Sequence, residues 1–571
     1  MKNTVHILFV TGIMGKGFSS RPGFSRGGKK IVGSRILNMV GNILILCAIT
    51  RTFTIHADNP IVQTDFTADP APMVVGDRVY LFTSHDDDVT EADFYTMRNY
   101  CGFSSTDMVN WTHHGIVATL NAFKWLNGHN NGAWAPQCVE RNGKYYLYIP
   151  IQGKGMGVLV SDSPTGPFED PIGKELIFRD NWNDIDPTVF IDDDGQAYMY
   201  WGNGTLWYVK LNEDMTSYSG GIVTANPKPS NFTEGPWFYR RGDLYYMGYA
   251  GMGGGNENLQ HATSSSPTGP WNNKGTIMQS GNCFTNHPGI CDFKGNSYLF
   301  YHNADLPGGG TFKRSVCVEQ FNYKSDGTIP TISQTKEGPE QVESLNPYDT
   351  VQAETICWEK GVETETCSEG GMQVSSIDNG DYIKVKGVDF SDGAKEFEAR
   401  VASGSNGGTI ELLLDSPSGT KIGICDVAGT GGWQSWATKT CEVNGADGKH
   451  DLYLKFTGGN GQLFNFNWWK FTPVTTEAES VSSNRQGNRQ NLDLYSGTKM
   501  IASRNIAIPG DATKVRLYKA DGRLVATLLN SVPTTGDTSV RLDIRGIATG
   551  SCLLEISSGS DYRHIEKILI R

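Results

Sequence analysis

The sequence predicts an all-β protein dominated by a β-propeller, and three observations support that fold class. The 68 glycines and an aromatic content of 11% suit strands that are joined by tight turns. A glycine-bearing turn followed by an aromatic-rich, alternating strand recurs five times. The segments between these copies have no helical periodicity. A repeated all-β unit is therefore the basis of the larger part of the chain.

The five turns begin at Gly76, Gly143, Gly195, Gly242 and Gly295. Successive glycines stand roughly 47 to 67 residues apart, a period that suits one four-stranded blade per copy. We therefore expect a five-bladed β-propeller over residues 58–345. A β-sandwich of hairpins is the alternative.

A second element, a functional side chain close to a proline, lies just upstream of each glycine turn. These elements are Asp69-Pro70, Trp134-Ala135-Pro136, Asp186-Pro187, Glu234-Gly235-Pro236 and His287-Pro288. If the strand after each glycine is the second of its blade, the preceding segment is innermost and faces the central channel. Three carboxylates, a tryptophan and a histidine are then expected to converge there.

Two acids that converge in an aromatic pocket provide what glycosidic cleavage requires. One acid protonates the leaving oxygen, while the other activates water or attacks the anomeric carbon. A divalent metal site built from Asp69, Asp186, Glu234 and His287 is the competing interpretation. The net charge of −12 disfavours a nucleic acid partner, because its phosphates would be repelled.

The same five motifs, in the same order over roughly residues 60–340, strongly resemble glycoside hydrolase family 43. The resemblance implies a five-bladed propeller and an inverting mechanism with Asp69 as general base and Glu234 as general acid. Asp186 would raise the pKa of the acid and orient it. His287 would help to hold a calcium ion, coordinated mostly by water, near the channel centre, with a hydrogen-bonded core histidine as the alternative.

Four other residues are candidates for sugar binding in this pocket. His85 and Asp86 resemble a polar substrate-binding segment of related enzymes, although a solvated acidic loop explains them equally well. Arg314 lies at the end of the last blade, where its planar guanidinium could donate hydrogen bonds to two neighbouring sugar hydroxyls. The alternative is a surface arginine without a role in binding. Trp134 could stack beneath a sugar or fill the core.

Residues 350–473 predict a separate, jelly-roll-like β-sandwich with Gly-Asp turns and alternating strands. This stretch resembles a family 6 carbohydrate-binding module. By that resemblance Trp433 stacks on a sugar and Asn465 hydrogen-bonds it. Ser376 stands where many such modules place a second aromatic residue, so the sugar sandwich is expected to be incomplete.

The same resemblance places a structural calcium ion in the module. Its ligands would be Gln352, Glu354 and Asn467. Asn467 replaces the usual aspartate, which removes one charge from the site without removing an oxygen ligand.

The N-terminal 57 residues predict a leader that ends in a signal peptide. The apolar run at 36–50 follows several basic residues and is shorter than the roughly 20 residues that span a bilayer, so we expect no membrane span in the mature protein. Translation from Met39 would explain why this run lies so deep in the chain. Export would place the protein outside the cell or on its surface.

Export also permits disulfides, since oxidising compartments preserve them. The nearest pairs within the module are Cys357 with Cys367 and Cys425 with Cys441.

Two further segments follow the module. Residues 474–491 are polar and predict a linker. Residues 492–571 return to strand patterns, predict a small β-sandwich and resemble the C-terminal sorting domains of type IX secretion substrates. A small accessory sandwich without an export role is the alternative.

The leading hypothesis is a secreted hydrolase that removes α-L-arabinofuranosyl side chains from arabinoxylan. It rests on the resemblance of residues 68–88 and of the attached module to that branch of the family. The expected partners are xylan or arabinoxylan and their oligosaccharides, together with the type IX secretion machinery. The alternatives are a β-xylosidase, an endo-acting xylan or arabinan hydrolase, and a non-catalytic xylan-binding protein. The presence of all three acids argues against the last.

Overall fold

The computed structural model describes residues 59–179 and 182–474, together with the backbone of seven strands beyond residue 488. The expected leader at 1–57 and most of the expected linker lie outside the described residues. Within the described part, helical structure is limited to two 3₁₀ turns, Leu120–Ala122 and Lys124–Leu126. The predicted all-β class is confirmed, and no described helix is long and apolar enough to cross a membrane.

Five antiparallel sheets made of consecutive strands fill the described region before residue 345. The first contains β1 (Thr67–Val75), β2 (Arg78–His85), β3 (Asn99–Ser105) and β4 (Trp111–Thr119), and the second β5 (Gln137–Arg141), β6 (Lys144–Ile151) and β7 (Gly155–Ser161). The third contains β8 (Thr188–Ile191), β9 (Ala197–Trp201), β10 (Trp207–Leu211) and β11 (Tyr218–Thr224). The fourth contains β12 (Glu234–Arg241), β13 (Leu244–Met252), β14 (Glu257–Ser264) and β15 (Asn272–Met278), and the fifth β16 (Gly289–Phe293), β17 (Asn296–Asn303) and β18 (Ser315–Phe321).

Each strand predicted after a glycine turn is the second strand of one of these sheets, namely β2, β6, β9, β13 and β17. The turn glycines have positive φ angles, 62° at Gly76. A Cβ atom at Gly76 would meet nothing within 4 Å, so the backbone conformation and not the available space selects glycine there. The elements that contain proline lie at the start of a first strand or immediately before it.

The first strands of the five sheets contact one another in a closed cycle. β1 contacts β5 and β16, and β8 contacts β5 and β12. The indole N–H of Trp237 in β12 donates to the carbonyl of Ile290 in β16 at 2.9 Å, which completes the cycle. β1 and β16 approach closely at Gly289, where a Cβ atom would lie 2.4 Å from the carbonyl oxygen of Pro70. The first strands therefore surround a common centre.

The module following residue 345 consists of two antiparallel sheets with an apolar core between them. One sheet contains β19 (Val351–Gln352), β22 (Glu363–Thr366), β23 (Met372–Ser375), β25 (Ala394–Ala402), β28 (Trp436–Ala446) and β30 (Asn465–Pro473). The other contains β21 (Trp358–Lys360), β24 (Tyr382–Asp389), β26 (Gly407–Leu414), β27 (Thr420–Ala428) and β29 (Lys449–Gly458). β20 (Thr355–Ile356) belongs to neither sheet.

β20 instead pairs with β4 and extends the first sheet of the preceding region. The hydroxyls of Thr112 and Thr355 lie 2.8 Å apart across this pairing. The side chain of Asn110 also exchanges hydrogen bonds with the backbone of Lys386 at 2.9 and 2.8 Å. The module is therefore joined to the first sheet by main-chain and side-chain hydrogen bonds as well as by the connecting chain.

The cysteines of the module differ from the sequence expectation. The thiols of Cys425 and Cys441, on β27 and β28, contact each other as a hydrogen-bonded pair and not as a disulfide. Cys367 is a free thiol whose sulfur accepts a hydrogen bond from the backbone N–H of Glu369. The expected bridge from Cys367 is therefore not formed in the described part of the chain.

The C-terminal strands form two further sheets. The strands are β31 (Arg489–Ser496), β32 (Lys499–Ala507), β33 (Lys514–Lys519), β34 (Leu524–Leu529), β35 (Ser539–Asp543), β36 (Gly550–Ser558) and β37 (Tyr562–Ile570). β31 pairs in parallel with β35, whereas the other pairs are antiparallel. β31 begins inside the segment predicted as linker.

Candidate active site

A pocket of about 280 Å³ lies where the first strands meet. Its wall includes Asp69, Trp134, Asp186, Glu234 and His287, the functional residue of each of the five elements that contain proline. The structure thus brings together the residues that the repeat predicted to converge.

Asp69 and Glu234 both lie at irregularities of the strand ladder. The register of β1 shifts between Ala68 and Ala71, and that of β12 shifts between Glu234 and Trp237. Proline cannot donate to a ladder and is tolerated at such bulges, and a bulge turns a side chain out of the regular alternation. The pattern of an acid close to a proline is therefore the local reason that these carboxyls point into the pocket.

Asp69 is held as a carboxylate by its neighbours. Arg314 donates from Nη1 to its Oδ1 at 3.1 Å, and the Ser84 hydroxyl donates to Oδ2 at 2.7 Å. Burial alone would raise the pKa of Asp69, but Arg314, His302 and His287 outweigh that effect and lower the pKa to about 2. Asp69 is therefore ionised at neutral pH and able to accept a proton.

Arg314 has its donors occupied within the protein. Its Nε and Nη2 donate to Asp86, Nη1 donates to Asp69 and Thr285, and Nη2 also faces the sulfur of Met97. A guanidinium has five N–H groups, and all five are accounted for. The structure therefore gives Arg314 a role in holding Asp69, and its hydrogen bonds to sugar hydroxyls stay a prediction.

His85 and Asp86, predicted to bind sugar, do not line the pocket. Asp86 is fully buried behind Arg314 and binds it through both carboxylate oxygens. His85 does not line the pocket, because its Nδ1 lies 2.8 Å from the Asn99 amide oxygen and its Nε2 lies 3.6 Å from Asp65. Asp86 positions the guanidinium of Arg314, whereas His85 belongs to a neighbouring polar cluster with Asn99 and Asp65.

Glu234 and Asp186 have pKa shifts opposite to that of Asp69. Burial and the charge of Asp69 raise the pKa of Glu234 to about 7, while the amide of Asn203 donates a hydrogen bond to its carboxyl. Burial, Glu234 and Asp69 raise the pKa of Asp186, which accepts the backbone N–H of Gly235 at 2.9 Å. Two carboxyls whose pKa values differ in this way can act as the acid and the base of one site.

Exposed apolar side chains surround the mouth of the pocket. Trp134 is buried in the wall, and its ring meets that of Trp182 edge to face at 6.2 Å. Trp182 is 54% exposed, and the exposed side chains of Phe94, Met252 and Phe284 also line the pocket. None of these four residues is part of a repeated element, so the repeat does not predict them. The proximity of Trp182 to the Asp186 motif was the available signal.

A fourth acid, Glu257, also lines the pocket and was missed. It begins β14, the third strand of its sheet, whereas the repeated elements with proline lie on first strands. The register of β12, β13 and β14, which the sequence does not specify, is what brings it to the site.

The structure does not test the predicted calcium ion at His287. His287 is buried in the pocket wall, and burial lowers the pKa of its imidazole to about 4, so the ring is neutral at pH 7. In the described part of the chain, no three His, Cys, Asp or Glu side chains are grouped as metal ligands, so an ion here would take most of its oxygen ligands from water. The calcium ion at His287 stays a prediction.

The predicted sugar-binding residues of the module lie together. Trp433 is 37% exposed, and its indole covers Gly404, where a Cβ atom would lie 2.7 Å from Nε1. Asn465 is buried and donates to the carbonyl of Trp433 at 2.9 Å and to Glu365 at 3.1 Å. Asn465 therefore positions the segment that presents the indole.

The residues predicted to hold calcium in the module do fit that ion. The Oε2 atom of Glu354 is buried and has no hydrogen-bond partner among the described residues. Burial raises the pKa of Glu354 to about 8, a cost that a bound cation would offset. Asn467 is buried with its amide nitrogen bound to Glu369, and Gln352 is exposed two residues before Glu354. Carboxylate and amide oxygens are the ligands that calcium prefers.

Comparisons with known proteins match both parts of the chain. The sequence model for glycosyl hydrolases family 43 matches residues 57–329, and the model for the family 6 carbohydrate binding module matches residues 352–473. An arabinoxylan arabinofuranohydrolase of Paenibacillus polymyxa is 33% identical over 86% of this chain and 87% of the relative. One of Bacillus subtilis is 35% identical over 72% of this chain and 92% of the relative.

A solved structure is similar over the same range. It is the glycoside hydrolase family 43 arabinoxylan arabinofuranohydrolase from Bacillus subtilis in complex with cellotetraose, with 33% identity and a TM-score of 0.66. The match covers 73% of this chain and 99% of that one.

Proposed function

The chain belongs to glycosyl hydrolases family 43 and carries a family 6 carbohydrate-binding module, and from this premise we propose that it releases α-L-arabinofuranosyl side chains from arabinoxylan. It is a glycoside hydrolase. The observation that carries the proposal is the pair Asp69 and Glu234, whose pKa values are shifted in opposite directions within one small pocket. The two near-full-length relatives that act on arabinoxylan support the substrate class.

The proposed reaction inverts the anomeric configuration. Asp69, an ionised carboxylate, removes a proton from a water that attacks the anomeric carbon. Glu234, protonated up to about pH 7, gives its proton to the oxygen of the leaving xylan chain. Asp186 shares the pocket and accepts a hydrogen bond from the backbone N–H of Gly235. Its proposed role is therefore to orient the segment that carries Glu234.

We assign the five sheets to the blades of a five-bladed β-propeller. The closed cycle of contacts between first strands supports this assignment. The backbone N–H groups of Ile61 and Thr67 donate to the carbonyls of Val316 and Arg314 at 2.9 Å, so the start of the described chain runs beside the last sheet. A contact between the segment that precedes the first sheet and the last strand of the fifth sheet would close the ring of blades.

The module is assigned to xylan binding, with Trp433 as its exposed contact. A structural calcium ion is proposed at Glu354, with Gln352 and Asn467 as further ligands, where it would neutralise a buried carboxylate. Chelation should then lower the melting temperature of the protein without changing the pH dependence of turnover. An identical melting temperature with and without chelator would exclude the ion.

A secreted or cell-surface location is proposed from the predicted signal peptide, with export by the type IX machinery proposed from the C-terminal resemblance. Fractionation of cells with and without residues 492–571 tests both.

The function itself is tested by incubating the full chain with arabinoxylan and measuring released arabinose and xylose separately. Arabinose as the dominant product is expected. Xylose as the dominant product would favour β-xylosidase activity, and xylo-oligosaccharides would favour endo-action. Proton NMR of the first-formed anomer tests inversion, since a retained configuration would require a covalent intermediate.

A further inference from the structure

Glu257 projects into the pocket from the same face of the fourth sheet as Glu234. In the ladder Glu234 faces Ala250, and Glu257 faces Met252. Directly opposed residues share a face in an antiparallel pair, and so do residues two apart on one strand. The two glutamates therefore lie on one face, at the end of the sheet that borders the pocket.

The carboxyl of Glu257 is buried and held at one oxygen. The side chain is 2% exposed, and the backbone N–H of Asn286 donates to Oε2 at 2.9 Å. The N–H of Glu257 itself donates to the carbonyl of Phe284 at 2.9 Å, which fixes the backbone beside the pocket. Among the described residues, no Lys, Arg or His forms an ion pair with Glu257.

A second ionised carboxylate at this position would be costly. Asp69 is already ionised in the same pocket, and its cation Arg314 is shared with Asp86. Burial and the charges of Glu234, Asp186 and Asp69 raise the pKa of Glu257 to about 9. Glu257 is therefore protonated at neutral pH, and its proton lies on the oxygen that Asn286 does not hold.

We propose that Glu257 is a substrate-binding residue that, as a neutral carboxylic acid, donates a hydrogen bond from Oε1 to a hydroxyl oxygen of the sugar in the pocket. The proposal rests on the proposed function only in requiring that the pocket binds a pentose. A neutral donor recognises a hydroxyl without adding charge beside Asp69. A site that hydrogen-bonds a hydroxyl also discriminates strongly against a sugar that lacks it.

The test compares Glu257→Gln with Glu257→Met, which are similar in size but differ in the ability to donate a hydrogen bond. Glu319→Gln is the matched control, because Glu319 is a buried glutamate on β18 that binds Thr335 and Tyr301 outside the pocket. Competitive inhibition by L-arabinose reports binding separately from the chemical step.

We expect Glu257→Gln to keep the inhibition constant within about threefold, and Glu257→Met to weaken it at least about tenfold. The loss in kcat/KM for Glu257→Met should be equal on activated aryl arabinosides and on natural linkages, because sugar binding and not leaving-group protonation is affected. One monodeoxy arabinose should bind Glu257→Met as well as it binds the wild type, which identifies the hydroxyl.

The pH profile gives a second readout. If Glu257 is neutral, Glu257→Gln leaves both limbs of the profile in place. Removal of an ionised carboxylate would instead lower the pKa of Glu234 and move the alkaline limb to lower pH. That movement, or arabinose binding unchanged in Glu257→Met, would overturn the proposal. Failure of the wild type to bind or release arabinose would overturn the proposed function instead.

Discussion

The pocket at the first strands and the surface of the module around Trp433 both combine tryptophan with acidic and amide side chains, but they use them differently. In the pocket the acids are unequal, since Asp69 is paired with Arg314 while Glu234 is bonded to a neutral amide. On the module Glu365 is bonded to Asn465, and the exposed group is the indole of Trp433. Cleavage of the glycosidic bond requires two carboxyls with different pKa values, whereas binding to the module requires an exposed aromatic ring.

Asp69→Asn should produce the largest effect, a loss of roughly 10⁴-fold in kcat on every substrate. The amide cannot accept the proton of the attacking water, and a general base contributes up to about this factor. Rates on arabinoxylan and on an activated aryl arabinoside measure it. Near-normal turnover on either substrate would exclude Asp69 as the base.

Glu234→Gln should reduce kcat roughly 10²–10³-fold on arabinoxylan but much less on activated aryl arabinosides, whose leaving groups need no proton. In the wild type the acid form of Glu234 is required, so activity should fall above about pH 7, the pKa of Glu234. The base form of Asp69 is required, so the acidic limb should lie far below it, near pH 2 or at the limit of acid stability. Equal losses on both substrates would reject Glu234 as the acid.

Arg314→Lys tests whether the cation separates the two pKa values. A lysine has a single ammonium group and cannot bind Asp69 and Asp86 at the same time as the guanidinium does. The pKa of Asp69 should therefore rise from about 2, and the acidic limb of the pH–activity profile should move to higher pH. We expect activity at neutral pH to fall about tenfold. Arg241→Gln, which removes an exposed arginine paired with Asp292, is the control. An acidic limb that does not move would show that Arg314 does not determine the pKa of Asp69.

Trp433→Ala should weaken retention on insoluble xylan about tenfold while leaving turnover of short oligosaccharides unchanged. Ile424→Ala, which truncates an exposed apolar residue on β27, is the matched control, because Trp433 lies in the loop after that strand. Removal of the whole module is a less specific experiment, because it would also strip β20 from the edge of β4. Equal retention of Trp433→Ala and the wild type would mean that the module binds through another face.

The smallest functional effect is expected at Cys425 and Cys441, whose thiols are in contact. Oxidised glutathione should join them, and closing a loop of this length adds about 3 kcal/mol of stability, or several degrees in melting temperature. Turnover should not change. Thiol titration and thermal unfolding of the wild type and of Cys425→Ser measure this. A number of titratable thiols that does not fall by two on oxidation would exclude the bond.

Local sequence determined much of this protein. Glycines with positive φ, such as Gly76, fix the turn before each second strand, because few other residues adopt that conformation. The prolines after Asp69 and near Glu234 mark the bulges that turn these acids inward. Turn chemistry and strand alternation act over a few residues, so they can be read from the chain.

Only the tertiary structure decided which acid is ionised and which other groups join the site. Arg314 reaches Asp69 across 245 residues, and Asp86 binds that arginine instead of a sugar. Glu257 enters the pocket through strand register, and β20 pairs with β4 across the boundary of the module. Burial, ion pairing and strand register depend on contacts between distant segments, and no local pattern in the sequence encodes those contacts.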